Sequence, residues 1–193
     1  MMPLAPPELV LIRHAPAETG GRLCGRRDVP ARLDDTAALT RLAGALAGVR
    51  RVISSPAQRC RQTAAALFPG QELAEDARLW EQDFGVEEGM AFAELPDLGP
   101  MSRDDLARHA PSGGESFNAM VARATPALQE LAEQAMAGGP VAVVAHAGTV
   151  RAGLALALGS VPAALAFEVA PLSATRLRCL PGAFSVVCVN TTV

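Results

Sequence analysis

The sequence contains no lysine and no tyrosine, and only 4% of its 193 residues are aromatic. All 17 basic residues are therefore arginines. Without lysine the chain has no side-chain amine for a Schiff base and no P-loop lysine, and neither a lysine nor a tyrosine can act as general base. Any contact with an anion must come from arginine, histidine or backbone amides.

Positive charge and long apolar runs are also scarce. The 17 basic residues stand against 20 acidic ones, for a net charge of −3, which argues against the basic excess that nonspecific nucleic-acid binding requires. The apolar stretch 152–167 is shorter than the roughly 20 residues of a membrane span and predicts a buried helix followed by a turn. The N-terminus lacks a positively charged region ahead of its apolar run and predicts no signal peptide. We expect neither nucleic acids nor membranes as partners.

Cysteine is too sparse for a disulfide scaffold. The four cysteines form no CxxC pair, and at this length they predict reduced thiols and a cytoplasmic location. Cys60 is predicted to be a buried, inert thiol. The three histidines show no local ligand spacing, so the sequence predicts no metal site.

Three short apolar runs predict parallel strands covered by helices, because each ends in polar residues and leads towards a helical pattern. They are residues 9–12, 51–54 and 141–145. A chain of 193 residues suits one domain, which we place at 1–193. The predicted class is α/β, with a mostly parallel central sheet.

Helical spacing and turn residues predict the remaining elements. Apolar positions three to four apart predict helices over 34–46 and 117–136. Pro56 favours the start of a helix that runs through Arg59 to about Leu67. Residues 186–189 predict a last strand near the sheet edge. The segment at about 69–116 is rich in proline, glycine and acidic residues and predicts an irregular insertion.

Both of the strongest predicted strands end at a histidine. Arg13 and His14 follow the first, His146 follows the third, and Arg59 lies near the start of the helix after the second. Ligands of parallel α/β sheets bind beyond the carboxyl ends of the strands, and helix N-termini there attract anions. If these strands are neighbours, the four side chains converge on a pocket for a phosphoryl group.

Such a pocket predicts nucleophilic chemistry. A neutral imidazole is nucleophilic at physiological pH, and a phosphohistidine is reactive enough to be hydrolysed. Arginine forks can stabilise the equatorial oxygens during transfer, and no metal or other cofactor is needed. The leaving group needs a proton from a carboxylic acid, for which segment 79–89 supplies candidates.

Other polar and aromatic residues have plainer interpretations. A structural, solvated or paired role is predicted for His109, Arg50, Arg51, Arg61, Asp83 and Glu87. Two alternatives stay open for four apolar residues, which either line an entrance for an apolar leaving group or pack in the core. These four are Trp80, Phe84, Phe92 and Leu95.

Five sequence blocks resemble those of the histidine phosphatase superfamily, also called the phosphoglycerate mutase-like family. Residues 11–15 are an apolar strand ending in Arg-His-Ala, where the family has Arg-His-Gly. Residues 54–64 contain Ser-Ser-Pro, an arginine and Gln-Thr-Ala, and residues 79–89 match the pattern Leu-x-Glu-x-x-Phe-Gly-x-x-Glu-Gly. A Gly-Glu-Ser turn at 114–116 and a second histidine block at 143–151 complete the series.

The resemblance implies a role for each matching residue. His14 would be the nucleophile that becomes phosphorylated, and Glu81 the proton donor and later the base for water. The phosphoryl group would be held by Arg13, Arg59, His146 and Ala147. The implied fold is a three-layer α/β/α sandwich on a mostly parallel sheet, with the insertion over the pocket mouth.

The branch of the family is less well marked. Residues 21–30 resemble the alpha-ribazole phosphatases, but Ala15 replaces the usual glycine and Gly20 stands where many members carry an asparagine. We expect the phosphate pocket to be less polar at that point.

Three functions are weighed. The first is a metal-independent phosphomonoester hydrolase acting on alpha-ribazole phosphate or another small phosphorylated metabolite. The second is a phosphoglycerate mutase, which tends to carry extra basic residues in the insertion. Here Arg103 and Arg108 are the only arginines between residues 89 and 113. The third is a noncatalytic phospho-ligand-binding module, which the presence of all five matching side chains disfavours. The expected partner is a small phosphorylated substrate, and a homodimer is left open.

Overall fold

The computed structural model describes residues 7–193, in which six strands form one sheet. The strands are β1 (Glu8–Arg13), β2 (Arg51–Ser54), β3 (Leu73–Glu75), β4 (Val141–Ala145), β5 (Ala174–Leu180) and β6 (Ala183–Thr191). Their order across the sheet is β3-β2-β4-β1-β5-β6. The pairs β2–β3, β2–β4 and β1–β4 are parallel, and β5 is antiparallel to both of its neighbours. The predicted α/β fold with a mostly parallel sheet is confirmed.

Helices cover both faces of the sheet. They are α1 (Thr36–Ala45), α2 (Gln58–Leu67), α3 (Arg103–Arg108), α4 (Phe117–Gly138), α5 (Ala147–Leu158) and α6 (Val161–Ala164). Single 3-10 turns lie at Ala77–Leu79, Gly85–Glu87 and Phe92–Glu94. The segment 69–116 thus contains β3 and α3, neither of which the sequence pattern predicted. None of the helices in the described part of the chain is long and apolar enough to cross a membrane.

The central strand β1 explains the three layers. Its side chains alternate between two buried clusters, with Leu9 and Leu11 packed in the cluster of α4 and α5. Val10 and Ile12 pack in the cluster of α1 and α2 on the other face. A strand buried on both faces reads as a continuous apolar run, which is why its sequence shows no polar alternation.

The register between β1 and β4 places their carboxyl ends side by side. Arg13 pairs with Ala145, and the backbone N–H of His14 donates to the Ala145 carbonyl at 2.9 Å. The next residues along the two strands, His14 and His146, therefore leave the sheet at the same edge.

Strand β5 is an element that the sequence pattern missed, because arginines interrupt its apolar run. Arg176 is only 2% exposed and pairs with the fully buried Glu8 of β1, with Nη2 2.6 Å from Oε2. Arg178 contacts the other carboxylate oxygen at 3.1 Å. A buried charge needs such a partner, and the partner lies far away in the sequence. The predicted strand at 186–189 lies inside the longer edge strand β6.

Candidate active site

His14 stands just beyond the end of β1 with one ring nitrogen fixed. Its Nδ1 lies 2.6 Å from the carbonyl oxygen of Ala15, which can only accept, so Nδ1 carries the proton and Nε2 keeps its lone pair. Burial lowers the pKa of His14 to about 3, and the charges of Arg59 and Arg13 also lower it, against the opposing effect of the Ala15 hydrogen bond. The ring is therefore neutral at physiological pH. The Thr63 hydroxyl accepts from the Ala15 N–H at 3.0 Å and fixes this turn.

Two guanidinium groups flank this ring. Arg13 donates from Nη1 to the Val169 carbonyl at 2.6 Å, and its buried Nε has no hydrogen-bond partner within residues 7–193. Arg59, from the first turn of α2, is 1% exposed and donates to the carbonyl oxygens of Gly25 at 2.7 Å and Arg27 at 3.1 Å. Burial lowers the pKa of Arg13, while the nearby Glu81 carboxylate raises it. The two cations are thus held in place by backbone carbonyls.

His146 lies behind the pocket wall. Its ring centroid is 5.3 Å from that of His14, but the side chain is fully buried. Nε2 lies 2.9 Å from the Ser55 hydroxyl oxygen, and Nδ1 lies 3.3 Å from Nη2 of Arg59, which can only donate. Burial holds the pKa of His146 well below its ordinary value, so the ring is neutral. Since Nδ1 accepts from Arg59, it carries a lone pair, so a hydrogen bond from Nδ1 to a phosphoryl oxygen would require both that Arg59 leave and that the ring proton move to Nδ1.

Glu81 reaches the pocket from the segment after the first 3-10 turn. Its Oε1 accepts from the Gln82 N–H at 3.0 Å, and its Oε2 accepts from the Gly148 N–H at 3.3 Å. Gly148 is the second residue of α5, and a Cβ at this position would overlap Glu81 Oε1. Ala147, the first residue of the same helix, has a first-turn N–H, for which an α-helix provides no acceptor.

Glu88 organises the loop that holds Arg59, although the sequence analysis gave it no role. Its two carboxylate oxygens accept from the backbone N–H groups of Gly25, Arg26 and Arg27 at 2.7–3.1 Å. A fourth N–H, that of Phe84, donates to Oε1 at 3.2 Å. This carboxylate therefore joins the loop at 25–27 to the segment 84–88. The only sequence signal was its match to the second glutamate of the pattern Leu-x-Glu-x-x-Phe-Gly-x-x-Glu-Gly at 79–89.

One cavity brings four of the predicted side chains together. It has a volume of about 420 Å³, and Arg13, His14, Arg59 and Glu81 all line it. The fully buried His146 does not line it, as described above. Cys24, which the sequence analysis did not single out, lines it as well, and burial raises the pKa of that thiol.

The four apolar residues left open by the sequence have different surroundings. Trp80 stacks on the His146 ring, with centroids 6.2 Å apart and planes at 10°, and carries the guanidinium of Arg26 on its ring. Phe84 and Phe92 line the cavity. Leu95 lies instead in a separate cleft of about 340 Å³, to which Phe84 also contributes. Two of the four residues therefore line the candidate cavity, one packs against the rings and charges behind it, and one lies in the separate cleft.

The residues given plainer interpretations lie away from the cavity. His109 and Glu87 line the separate cleft, and Asp83 accepts from the Gly85 N–H at 2.8 Å. Arg51 and Arg61 are exposed and contact Gln134 and Glu75 respectively, and Arg50 is also exposed.

Three further positions, two of them buried and one in a turn, complete the comparison with the sequence. Cys60 is fully buried with Sγ 3.5 Å from His146 Nε2, and burial raises its pKa. The thiol therefore stays protonated at neutral pH. Ala15 is fully buried in the core, and Gly20 has a φ of +61° at an exposed turn, with the neighbouring Thr19 lining the cavity.

A larger groove of about 820 Å³ lies along β2 and β3. Three of its charged side chains pair with one another, since Arg78 contacts Asp76 at 2.7 Å and Glu130 at 2.6 Å. It contains none of Arg13, His14, Arg59 and Glu81, which all line the smaller cavity, so the smaller cavity is the candidate active site. Across residues 7–193, no group of three or more His, Cys, Asp or Glu side chains could hold a metal ion.

Comparisons with known proteins agree with this geometry. The family model of the Histidine phosphatase superfamily (branch 1) matches residues 9–192. The glucosyl-3-phosphoglycerate phosphatase of Mycolicibacterium vanbaalenii is 34% identical over 168 residues, which cover 78% of this chain and 74% of that protein. Some other curated relatives are longer, such as the bifunctional protein Rv2228c of Mycobacterium tuberculosis, which is 32% identical over 167 residues that cover 79% of this chain and 44% of that protein.

Solved structures extend the similarity to the whole fold. A structure described as mycobacterial hydrolase 1 has a TM-score of 0.83 and 27% identity, covering 98% of this chain and 100% of that one. The alpha-ribazole phosphatase of Shigella flexneri has a TM-score of 0.81 at 20% identity, over 95% and 96% of the two chains, a similarity of fold alone.

The sheet topology and the cluster at its edge define a phosphatase fold of the phosphoglycerate mutase type. The chain belongs to the histidine phosphatase superfamily, branch 1, and is an enzyme of the phosphatase class. The family resemblance stated from the sequence is thereby confirmed.

Proposed function

We propose that this chain hydrolyses small phosphomonoesters without a metal, through a phosphohistidine at His14. The observation that carries the proposal is the state of the His14 ring. Its Nδ1 is bound to the Ala15 carbonyl, its pKa is lowered to about 3, and it lines a cavity with two arginines. A neutral imidazole with a free Nε2 is a nucleophile that needs no further activation.

The proposed reaction has two balanced steps. In the first, the Nε2 lone pair of His14 attacks phosphorus, the bond from phosphorus to the ester oxygen breaks, and protonated Glu81 gives its proton to that oxygen. In the second, Glu81 takes a proton from water, the water oxygen bonds to phosphorus, and the bond between phosphorus and Nε2 breaks. Phosphate leaves, and His14 and Glu81 return to their starting forms.

Arg13 and Arg59 are the proposed phosphoryl-binding groups. Guanidinium forks suit phosphate oxygens, and the Nε of Arg13, which has no partner in the described part of the chain, supplies a buried donor beside His14. The first-turn N–H of Ala147 is a further proposed donor. His146 would act by orienting Arg59, whose Nη2 donates to its Nδ1, and could donate to the phosphoryl group itself only once Arg59 has moved and Nδ1 carries the ring proton.

Trapping the phosphoenzyme tests the proposal. The wild-type protein, mixed with an activated aryl phosphate and quenched within one turnover, should carry one phosphoryl group on the peptide containing His14. The His14→Ala variant should fold and show no turnover and no label. Full residual activity in His14→Ala would contradict the assignment of His14 as the nucleophile. The variant His109→Ala is the matched control and should remain active.

The alternatives of mutase and binding module are less well supported. Arg103 and Arg108 lie on α3 and do not line the cavity, and Arg108 is paired with Asp105 at 2.9 Å. Isomerisation of 3-phosphoglycerate with a bisphosphate primer and without phosphate release would favour the mutase. Binding without turnover would favour the module.

The substrate is proposed by comparison. A relative with 34% identity is named for glucosyl-3-phosphoglycerate, while the alpha-ribazole phosphatase similarity rests on 20% identity. Glucosyl-3-phosphoglycerate is therefore the better supported candidate, and alpha-ribazole phosphate is the second. A panel of both, with sugar phosphates and 3-phosphoglycerate, would rank them by kcat/KM.

The organisation and setting of the protein are also proposals. We infer one domain whose segment 69–116 covers the pocket mouth, supported by the cavity positions of Glu81, Phe84 and Phe92. The four cysteines are free thiols, which supports a cytoplasmic location. Cell fractionation would test the location, and sedimentation would test the homodimer.

A further inference from the structure

The cavity is larger than its phosphoryl-binding end. Arg59 and His14 are buried at one end, with exposures of 1% and 7%. A volume of about 420 Å³ lies within the range that accommodates a complete small ligand, so the outer part has room for the leaving group. Two side chains of the outer part, Arg22 and Phe92, are exposed and line the same cavity.

A short antiparallel pairing builds this outer rim. The Leu23 N–H donates to the Met90 carbonyl at 2.9 Å, and the Phe92 N–H donates to the Gly21 carbonyl at 3.0 Å. The Gly89 N–H donates to the Leu23 carbonyl at 2.9 Å. These backbone bonds hold residues 21–23 against 89–92, so both side chains sit on a defined framework.

Arg22 carries a positive charge that the protein itself does not neutralise. Its Nη1 donates to the Gly89 carbonyl at 2.8 Å, which fixes one arm of the guanidinium. Within the part of the chain that the structure describes, it has no carboxylate within salt-bridge distance, unlike Arg26, which contacts Glu115. With Arg13 and Arg59, it gives the cavity three cations against the one carboxylate of Glu81.

Phe92 supplies the apolar part of the rim. It is 56% exposed, which leaves much of its ring in water. Exposed aromatic groups on a cavity wall are typical of binding sites, and here Phe84 and Leu23 continue the apolar surface inward.

We propose that Arg22 and Phe92 form a leaving-group subsite, which takes an alcohol bearing an apolar face and an anionic substituent such as a carboxylate. The proposal rests on the proposed phosphatase function. Arg22 pairs with the substituent, Phe92 covers the apolar face, and the phosphoryl group lies deeper, against Arg13 and Arg59.

A matched pair of aryl esters tests the charge preference. We compare 4-carboxyphenyl phosphate with 4-(hydroxymethyl)phenyl phosphate, which has a neutral group at the same place. The wild-type protein should favour the carboxylate ester by roughly tenfold in kcat/KM, as expected for a hydrogen bond between charged groups. Arg22→Gln should abolish that preference, and Arg22→Lys should retain part of it. Arg103→Gln, an exposed arginine on α3 outside the cavity, should behave as wild type.

A second variant tests the apolar contact. Phe92→Ala should lower kcat/KM severalfold for both aryl esters while leaving glycerol phosphate unchanged. An equal loss on both aryl esters in Arg22→Gln, or no charge preference in the wild-type protein, would overturn the subsite, as would an unaltered profile in Phe92→Ala.

Binding to the inactive His14→Ala variant separates this proposal from the proposed function. Calorimetry with the two aryl esters should show the same preference for the carboxylate ester, and its loss on adding Arg22→Gln. A preference for binding the carboxylate ester, without turnover by the wild-type protein, would support the subsite and contradict the phosphatase mechanism. Turnover by the wild-type protein without any preference for the carboxylate ester would support the phosphatase mechanism and contradict the subsite.

Discussion

The α-carbon of Gly148 lies so close to the Glu81 carboxylate that no side chain fits between them. A Cβ at position 148 would overlap Glu81 Oε1 and would lie 2.9 Å from the Met120 methyl carbon. The Gly148 N–H also donates to Glu81 Oε2 at 3.3 Å. The glycine at the start of α5 is thus required by the carboxylate rather than by the helix.

Replacing this glycine should damage catalysis through Glu81. We expect Gly148→Ala to reduce turnover of alkyl phosphates strongly, because the displaced Glu81 side chain can no longer deliver a proton to the leaving oxygen. Gly44→Ala is the matched control, since Gly44 lies in α1 and a Cβ there meets nothing within 4 Å. The control should keep full activity and gain up to about 1 kcal/mol in the free energy of unfolding. Wild-type kinetics in Gly148→Ala would show that the carboxylate position is not critical.

Glu81→Gln should separate substrates by their leaving groups. A general acid contributes about a hundredfold to ten-thousandfold, so alkyl phosphates should lose activity on that scale. Activated aryl phosphates, whose leaving groups need little protonation, should lose much less. The measurement is kcat/KM across a series of esters of graded leaving-group pKa. An equal loss across the series would remove Glu81 from the acid role.

Glu88→Gln should loosen the loop that holds Arg59. Both carboxylate oxygens accept backbone N–H groups, so an amide must turn a donor towards at least one of them. We expect a loss of about 1–3 kcal/mol in the free energy of unfolding, together with a higher KM for every ester. Glu94→Gln is the control, because within residues 7–193 that exposed carboxylate accepts only the N–H of Ala91, at 3.3 Å. An unchanged KM in Glu88→Gln would show that the loop at 25–27 does not contribute to phosphate binding.

The depressed pKa of His14 predicts acid sensitivity of the fold. The ring stays neutral in the folded protein down to pH about 3, whereas the unfolded chain binds a proton below its ordinary pKa of 6.5. The neutral ring therefore contributes its full stability above pH 6.5. As the pH falls from 6.5 towards about 3, the free energy of unfolding decreases by about 1.4 kcal/mol for each pH unit. Urea unfolding between about pH 7 and about pH 4, which covers most of this interval, should show a shallower pH dependence in His14→Gln. Identical slopes would contradict the assigned pKa.

Local patterns in the sequence predicted the sheet centre and the residues at its edge. The strands β1 and β4 are continuous apolar runs, because both of their faces are buried, and the histidines mark the residues where the runs stop. Parallel pairing then brings His14 and His146 together, as their ring separation of 5.3 Å shows.

The missed features depend on contacts between distant segments. Strand β5 contains charges whose burial makes sense only beside Glu8. The role of Glu88 depends on a loop some sixty residues earlier, with a separation of 61–63 positions. The buried position of His146 follows from Ser55 and Trp80, which pack around it. No period or motif within one segment encodes these relationships.

The neighbouring positions of β1 and β4 also have a kinetic consequence. The two strands are far apart in the chain, so their pairing must close a long loop, which slows folding. The imidazole pair exists only after this closure. Recovery of hydrolytic activity during refolding should therefore time the formation of the sheet centre, later than signals from helices formed by local contacts.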